Sequence, residues 1–137
     1  MMSLFLPMFA HVLLCAFLYF LLTLARAPAV WHVGGSSAVI SSLESRKALI
    51  SANLSNQFEW PLFFYVVCLV SQYAGVADNM AFISLAWIFV AGRVLHSVVQ
   101  IALNNVRLRG VIFTINFVAV IAMWVLCAIQ LIGKYHE

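Results

Sequence analysis

The stretch WIFVAGRVLHSVVQIALN, residues 87–104, carries four large polar side chains, with Ser97 beside them, in an otherwise apolar segment. Arg93, His96, Gln100 and Asn104 are separated by three, four and four positions. Residues three or four apart share one face of an α-helix, so these side chains form a single stripe. Ionisable groups inside a spanning helix are costly and face a bundle interior or a wet cavity. The stripe therefore predicts a buried functional site.

A second polar group opens another apolar segment, NLSNQFEWPLFF, residues 53–64. Asn56 and Glu59 are three positions apart and lie on one helix face, with Asn53 one turn earlier. Pro61 lacks an N–H and clashes with the preceding turn, so we expect it to free a backbone carbonyl and bend the helix near Glu59.

The simplest electrostatic account pairs Glu59 with Arg93 across these two helices, since a buried charge is tolerated when it is paired and hydrogen-bonded. The alternative is that the same polar groups only hold helices together, as interhelical hydrogen bonds commonly do. His11 and Asn116 are isolated in their own segments, and a structural role is expected for both.

Composition defines the class of protein. Of the 137 residues, 66% are hydrophobic and only 8% are charged, with a mean hydropathy of +1.09. A soluble domain carries about 25% charged residues. The net charge of +3 is small, and we interpret the few positive charges as determinants of the orientation of the chain in the membrane. No nucleic-acid partner is expected.

Continuous apolar runs of about 20 residues are long enough to cross a bilayer, and they lack the alternation of a β-barrel. We therefore predict an all-α integral membrane four-helix bundle that forms a single domain over residues 1–137. The predicted helices cover about residues 4–25, 58–77, 80–103 and 110–132.

The connections differ in charge. The connection between the first two predicted helices, residues 27–52, is predicted to be a loop rich in small polar residues. Together with Arg26 at its start, this connection is basic. The third holds Arg107 and Arg109 and no acid. Positively charged connections stay cytoplasmic, so both are expected on the cytosolic side, with both termini on the opposite side of a bacterial inner membrane.

The cysteines fit no metal motif, and no metal site is expected. Each lies inside a predicted helix, where a free thiol behaves as a small hydrophobe. They are Cys15, Cys68 and Cys127.

Taken together, the two polar segments resemble the MAPEG family, the membrane-associated proteins of eicosanoid and glutathione metabolism. Residues 53–64 are similar to the family's helix-two signature of Asn, Glu and Pro before an aromatic run. Residues 87–96 resemble the helix-three signature, a Trp followed by Arg-x-x-His, and residues 104–109 resemble the polar turn into helix four. The resemblance covers most of the chain and looks most like the bacterial branch.

The resemblance implies a homotrimer with glutathione sites at subunit interfaces that open toward the cytosol. It makes Arg109 the residue that stabilises the thiolate, with Arg107 as the nearby alternative. The implied binding residues are Arg26, Asn53, Asn56, Glu59, Arg93, His96, Gln100 and Arg107. The sequence departs from the family where glutathione-using members place a Tyr, which is here Gln100, and an Arg, which is here Ala52.

Two functional hypotheses follow. The first is an enzyme, a glutathione- or thiol-dependent transferase or reductase acting on lipophilic electrophiles from the bilayer. The second is a non-catalytic membrane protein that binds a lipid or a partner through the same cleft. A proton-coupled exporter is a third, weaker hypothesis, because such exporters need a mid-membrane acid in helix one and this helix has none.

Overall fold

The computed structural model describes residues 4–136, except for the side chain of Tyr135, so residues 1–3 and 137 of the predicted domain lie outside it. All regular elements in the described range are helical. In chain order they are α1 (Phe5–Trp31), α2 (Ala38–Ser45), α3 (Lys47–Asn56), α4 (Pro61–Tyr73), α5 (Met80–Val98), a π-helical turn (Val99–Leu103) and α6 (Val106–Tyr135).

Three helical segments are long and apolar enough to cross a membrane. They are Phe5–Trp31 with 27 residues, Met80–Leu103 with 24 and Val106–Lys134 with 29. At 1.5 Å per residue each exceeds the roughly 30 Å of a hydrocarbon core. Large apolar side chains, such as Phe17, Leu95 and Val118, are more than half exposed on their outer faces. The chain is therefore an integral membrane protein, as the composition predicts.

The predicted loop at residues 27–52 is mostly helical. α1 continues past residue 25 to Trp31 and ends at His32, which adopts a left-handed conformation with φ 55°. α2 and the first half of α3 follow within the same stretch. Burial explains the difference, because Ile50 and Leu54 lie one turn apart and pack with Leu18 and Leu22 of α1 in one buried cluster.

The helix predicted at residues 58–77 is shorter at both ends. α4 has 13 residues, which corresponds to about 20 Å. Residues 57–60 form turns, and Pro61 occupies the first helical position, where its missing N–H costs nothing. At the other end, Gly75 adopts φ +69° directly after the helix. The bend predicted near Glu59 is thus a break between two helices.

The main core lies between α4, α5 and α6. Its centre is the stacked pair of Phe64 and Phe89, whose ring centroids are 4.2 Å apart, and both side chains are fully buried. Val120 and Met123 of α6 complete the cluster. This packing fixes the face of α5 that carries the predicted polar stripe.

A close contact between α5 and α6 occurs at Gly92, directly before Arg93. A Cβ atom built at Gly92 would collide with Oδ1 of Asn116. Asn116 is fully buried, so it has little room to move away. Gly92 therefore sets how closely these two helices approach.

Replacing Gly92 with alanine is expected to destabilise the protein by about 1–3 kcal/mol, because overpacking forces shifts at the helix contact. Gly110 is the matched control, since it is also helical and a Cβ built there meets nothing within 4 Å. Gly110→Ala should be neutral or stabilising by up to about 1 kcal/mol. Equilibrium unfolding in mixed micelles measures both, and equal effects would contradict this account of the contact.

Candidate functional site

The polar stripe of α5 and the π-helical turn that follows it is buried where this segment meets α3. Arg93, His96 and Gln100 are 0%, 3% and 3% exposed. Asn53 of α3 is fully buried opposite them, and its Nδ2 donates to Oε1 of Gln100 at 2.9 Å. The same amide lies 3.4 Å from Nδ1 of His96. Since an amide nitrogen only donates, Nδ1 of His96 is the acceptor and its proton lies on Nε2.

Asn104 does not join this cluster. The π-helical turn ends the helix at Leu103, and Asn104 is exposed with φ 49°. The stripe therefore stops at Gln100. The spacing of these residues predicts a shared face only for a continuous α-helix. The π-helical turn interrupts the α-helix before Asn104, so the prediction fails there.

Gln57 connects the cluster to Arg93. Its Nε2 donates to Oδ1 of Asn53 and to Oγ of Ser97, both at 3.2 Å. Its Oε1 accepts from Nε of Arg93 at 3.0 Å. Gln57 is 1% exposed, so its amide is committed to these contacts. Its position in the sequence does not predict this role.

The predicted pairing of Glu59 with Arg93 is not a direct ion pair among the described residues, although the charge of Glu59 still acts on Arg93. Nη2 of Arg93 donates to the backbone oxygen of Asn56 at 2.8 Å, while Glu59 is exposed and makes no ion pair with it. The helix break explains the difference. Because the chain turns at residues 57–60, the Asn56 carbonyl is free to accept from Arg93, and Glu59 turns away from the buried face.

His11 of α1 belongs to the same network, although the sequence places it alone. It is fully buried, and its Nε2 lies 3.0 Å from Oε1 of Gln57. An amide oxygen only accepts, so Nε2 carries the proton and Nδ1 is an acceptor. Nδ1 accepts a hydrogen bond from the Tyr65 hydroxyl at 2.7 Å. The polar network thus reaches from α3 and α5 to α1 and α4.

The two arginines at the start of α6 differ in burial. Asn105 caps the helix, since its Oδ1 accepts from the backbone N–H of Leu108 at 3.1 Å. Arg107 is exposed, whereas Arg109 is half-buried and close enough for its charge to act on the His96 imidazole. Phe113, one turn after Arg109, packs with the His96 ring at a centroid distance of 6.4 Å. Arg109 therefore shares the face of α6 that contacts the α5 stripe.

Other predicted site residues lie outside this cluster. Arg26 is exposed near the end of α1, and Asn56 reaches Arg93 only through its backbone oxygen. Arg46 in the first connection is exposed, and its Nη1 donates to the backbone oxygens of Ile101 and Ala102 at 3.0 and 3.3 Å, which are left free at the helix end.

Several buried polar atoms have no partner within the described residues. They are Nη1 of Arg93, both amide atoms of Asn116 and Nε1 of Trp60. Trp60 stacks on Phe117, the neighbour of Asn116, with ring centroids 4.5 Å apart. Buried polar groups normally find partners, so Arg93 keeps unused capacity to hold an anionic or carbonyl group. Among residues 4–136, no three His, Cys, Asp or Glu side chains gather as metal ligands would.

This arrangement defines a class of protein: an integral membrane helical protein with a buried basic and amide cluster. A sequence model of the MAPEG family matches residues 4–129, nearly the whole chain, and the chain belongs to that family. No curated protein and no solved structure matches the sequence.

Proposed function

We propose that this protein is a glutathione- or thiol-dependent transferase or reductase that acts on lipophilic electrophiles. The observation that carries the proposal is the buried cluster of Asn53, Arg93, His96 and Gln100 beside the half-buried Arg109. Membership of a family of eicosanoid and glutathione metabolism supports the same class of reaction.

The donor set suits glutathione, which carries two carboxylates, one ammonium and a thiol. Guanidinium groups bind carboxylates through paired hydrogen bonds, and Nη1 of the buried Arg93 has no partner among the described residues. The exposed Glu59 carboxylate makes no direct ion pair with Arg93 and can take the ammonium. Arg109 is the residue we assign to the thiol, because a nearby cation favours the thiolate.

We further propose that the enzyme assembles as a homotrimer and that α3 and α4 together form a second membrane crossing. The 13 residues of α4 are too short to cross alone, and α3 precedes it across the four-residue break. The exposed Arg26 and the half-buried Asn56 would then meet glutathione at a subunit interface, which would account for their lying outside the cluster within one chain. Because positively charged connections stay cytoplasmic, the basic connections support an interface near the cytosolic face.

The test is turnover of chlorodinitrobenzene with glutathione by the purified protein in lipid vesicles, followed by absorbance of the conjugate. The expected result is a rate that saturates with glutathione and exceeds that of protein-free vesicles. Lipid retained at the site without any turnover or glutathione binding would overturn the enzyme proposal in favour of a non-catalytic lipid-binding protein.

A further inference from the structure

A second site lies on the other side of Gln57, between α1 and the segment that connects α3 to α4. It is a cavity of about 450 Å³. Its walls are mostly apolar and open toward the lipid, since Val12 and Leu62 are 48% and 57% exposed. We call the polar side of the cavity, formed by His11, Cys15, Gln57 and Tyr65, its floor; Tyr19 also lines the cavity.

The floor contains a nucleophile beside a base. Sγ of Cys15 lies 3.9 Å from Nδ1 of His11, one helical turn earlier in α1. The bond from Nε2 to Gln57 fixes the tautomer, so Nδ1 carries no proton and is available to accept one. A thiol within reach of an oriented base is the arrangement of an activated cysteine.

Tyr65 does not block this base permanently. Its hydroxyl donates to Nδ1 of His11 at 2.7 Å, but the backbone oxygen of Met8 is a second acceptor at 3.5 Å. Rotation of the hydroxyl toward Met8 leaves Nδ1 to the thiol of Cys15. The phenol then remains at the cavity floor as a donor for a carbonyl oxygen.

Access separates Cys15 from the other two thiols. Cys68 and Cys127 are 0% and 1% exposed and belong to the main hydrophobic core. Cys15 is only half-buried and lines the cavity. The cavity offers the thiol of Cys15 to molecules that partition into the bilayer.

We propose that this cavity binds lipophilic α,β-unsaturated carbonyl compounds and that Cys15 forms a covalent adduct with them. The thiol proton passes to Nδ1 of His11, and Sγ bonds to the β-carbon of the compound. The π electrons move toward the carbonyl, and the α-carbon then takes the proton back from His11. Nothing is oxidised or reduced and no group leaves, so the step needs no co-reactant.

The experiment incubates the full-length protein in lipid vesicles with nonenal, without glutathione, and follows adducts by intact-protein and peptide mass spectrometry. The expected result is one adduct, located at Cys15 and lost in Cys15→Ser. Cys68→Ala and Cys127→Ala are the matched controls and should keep the adduct. Labelling of Cys68 or Cys127 at the same rate as Cys15 would overturn the proposal.

The role of His11 is tested separately. His11→Gln should slow labelling by on the order of 10²-fold, the usual contribution of a general base. Because this buried variant can also disturb folding, nonanol, which fits the cavity but cannot alkylate, is added to the unmodified protein as a competitor. Slower labelling with nonanol supports the cavity as the binding site, and an unchanged rate contradicts it. Since glutathione is omitted, these results do not depend on the transferase proposal.

Discussion

Replacing Arg109 with alanine is expected to lower glutathione-dependent turnover by on the order of 10²-fold or more, the usual cost of losing a preorganised group that stabilises developing charge. Arg109 is half-buried and lies within electrostatic range of His96, so its charge acts inside the cluster. Initial rates with chlorodinitrobenzene in vesicles measure the effect. Folding should be retained, because the structure gives Arg109 no buried hydrogen bond to lose.

Arg107→Ala is the matched control for this prediction. Arg107 lies two positions earlier in α6, carries the same charge and is exposed. Exposed charges are screened by solvent and salt, so its removal should change turnover only slightly. Equal losses in both variants would show that the general basic charge of this connection matters, and would remove Arg109 from the catalytic role.

Replacing Gln57 with leucine is expected to lower the free energy of unfolding by about 3 kcal/mol, because several buried groups lose their partner at once. Nε of Arg93 and Nε2 of His11 would both lose the oxygen that accepts them. Leucine has a similar size, so the loss would reflect hydrogen bonding more than packing. Unfolding in mixed micelles provides the measurement.

Asn56→Ala separates the structural role from the binding role. The Asn56 contact with Arg93 is made by the backbone oxygen, which the substitution leaves in place. Stability should therefore change by less than about 0.5 kcal/mol, as for ordinary substitutions outside the core. Under our proposal the same variant binds glutathione more weakly. A stability loss as large as that of Gln57→Leu would contradict this assignment.

Much of the fold follows from the sequence because lipid imposes simple rules. Long apolar runs must be helical in lipid, and three of them appear as membrane-length helices. The sequence does not show where a helix is interrupted by tertiary contacts. The segment of residues 27–52 is read as a loop from its serines and glycines, yet Ile50 and Leu54 pack against α1 and make the second part helical.

Part of the site is also predictable from the sequence, because polar side chains in a spanning helix avoid lipid. Periodicity correctly places Arg93 and His96 of α5 and Gln100 of the π-helical turn on one buried face. It does not identify their partners, because the break at residues 57–60 turns Glu59 outward and brings Gln57 inward. His11 looks isolated in sequence, and only the packing of α1 against Gln57 reveals its role. A polar residue inside an apolar run was the one signal available for His11 and Asn116, whereas Gln57 lies among other polar residues and is not distinguished from them.

Isothermal titration of the reconstituted protein with glutathione tests most directly whether the buried polar cluster holds a guest. We predict saturable binding that Arg109→Ala weakens, while the variant keeps the unfolding behaviour of the parent protein. Heat changes equal to those of buffer alone would contradict the account, provided that unfolding shows the protein to be folded. The cluster would then serve only to hold the helices together.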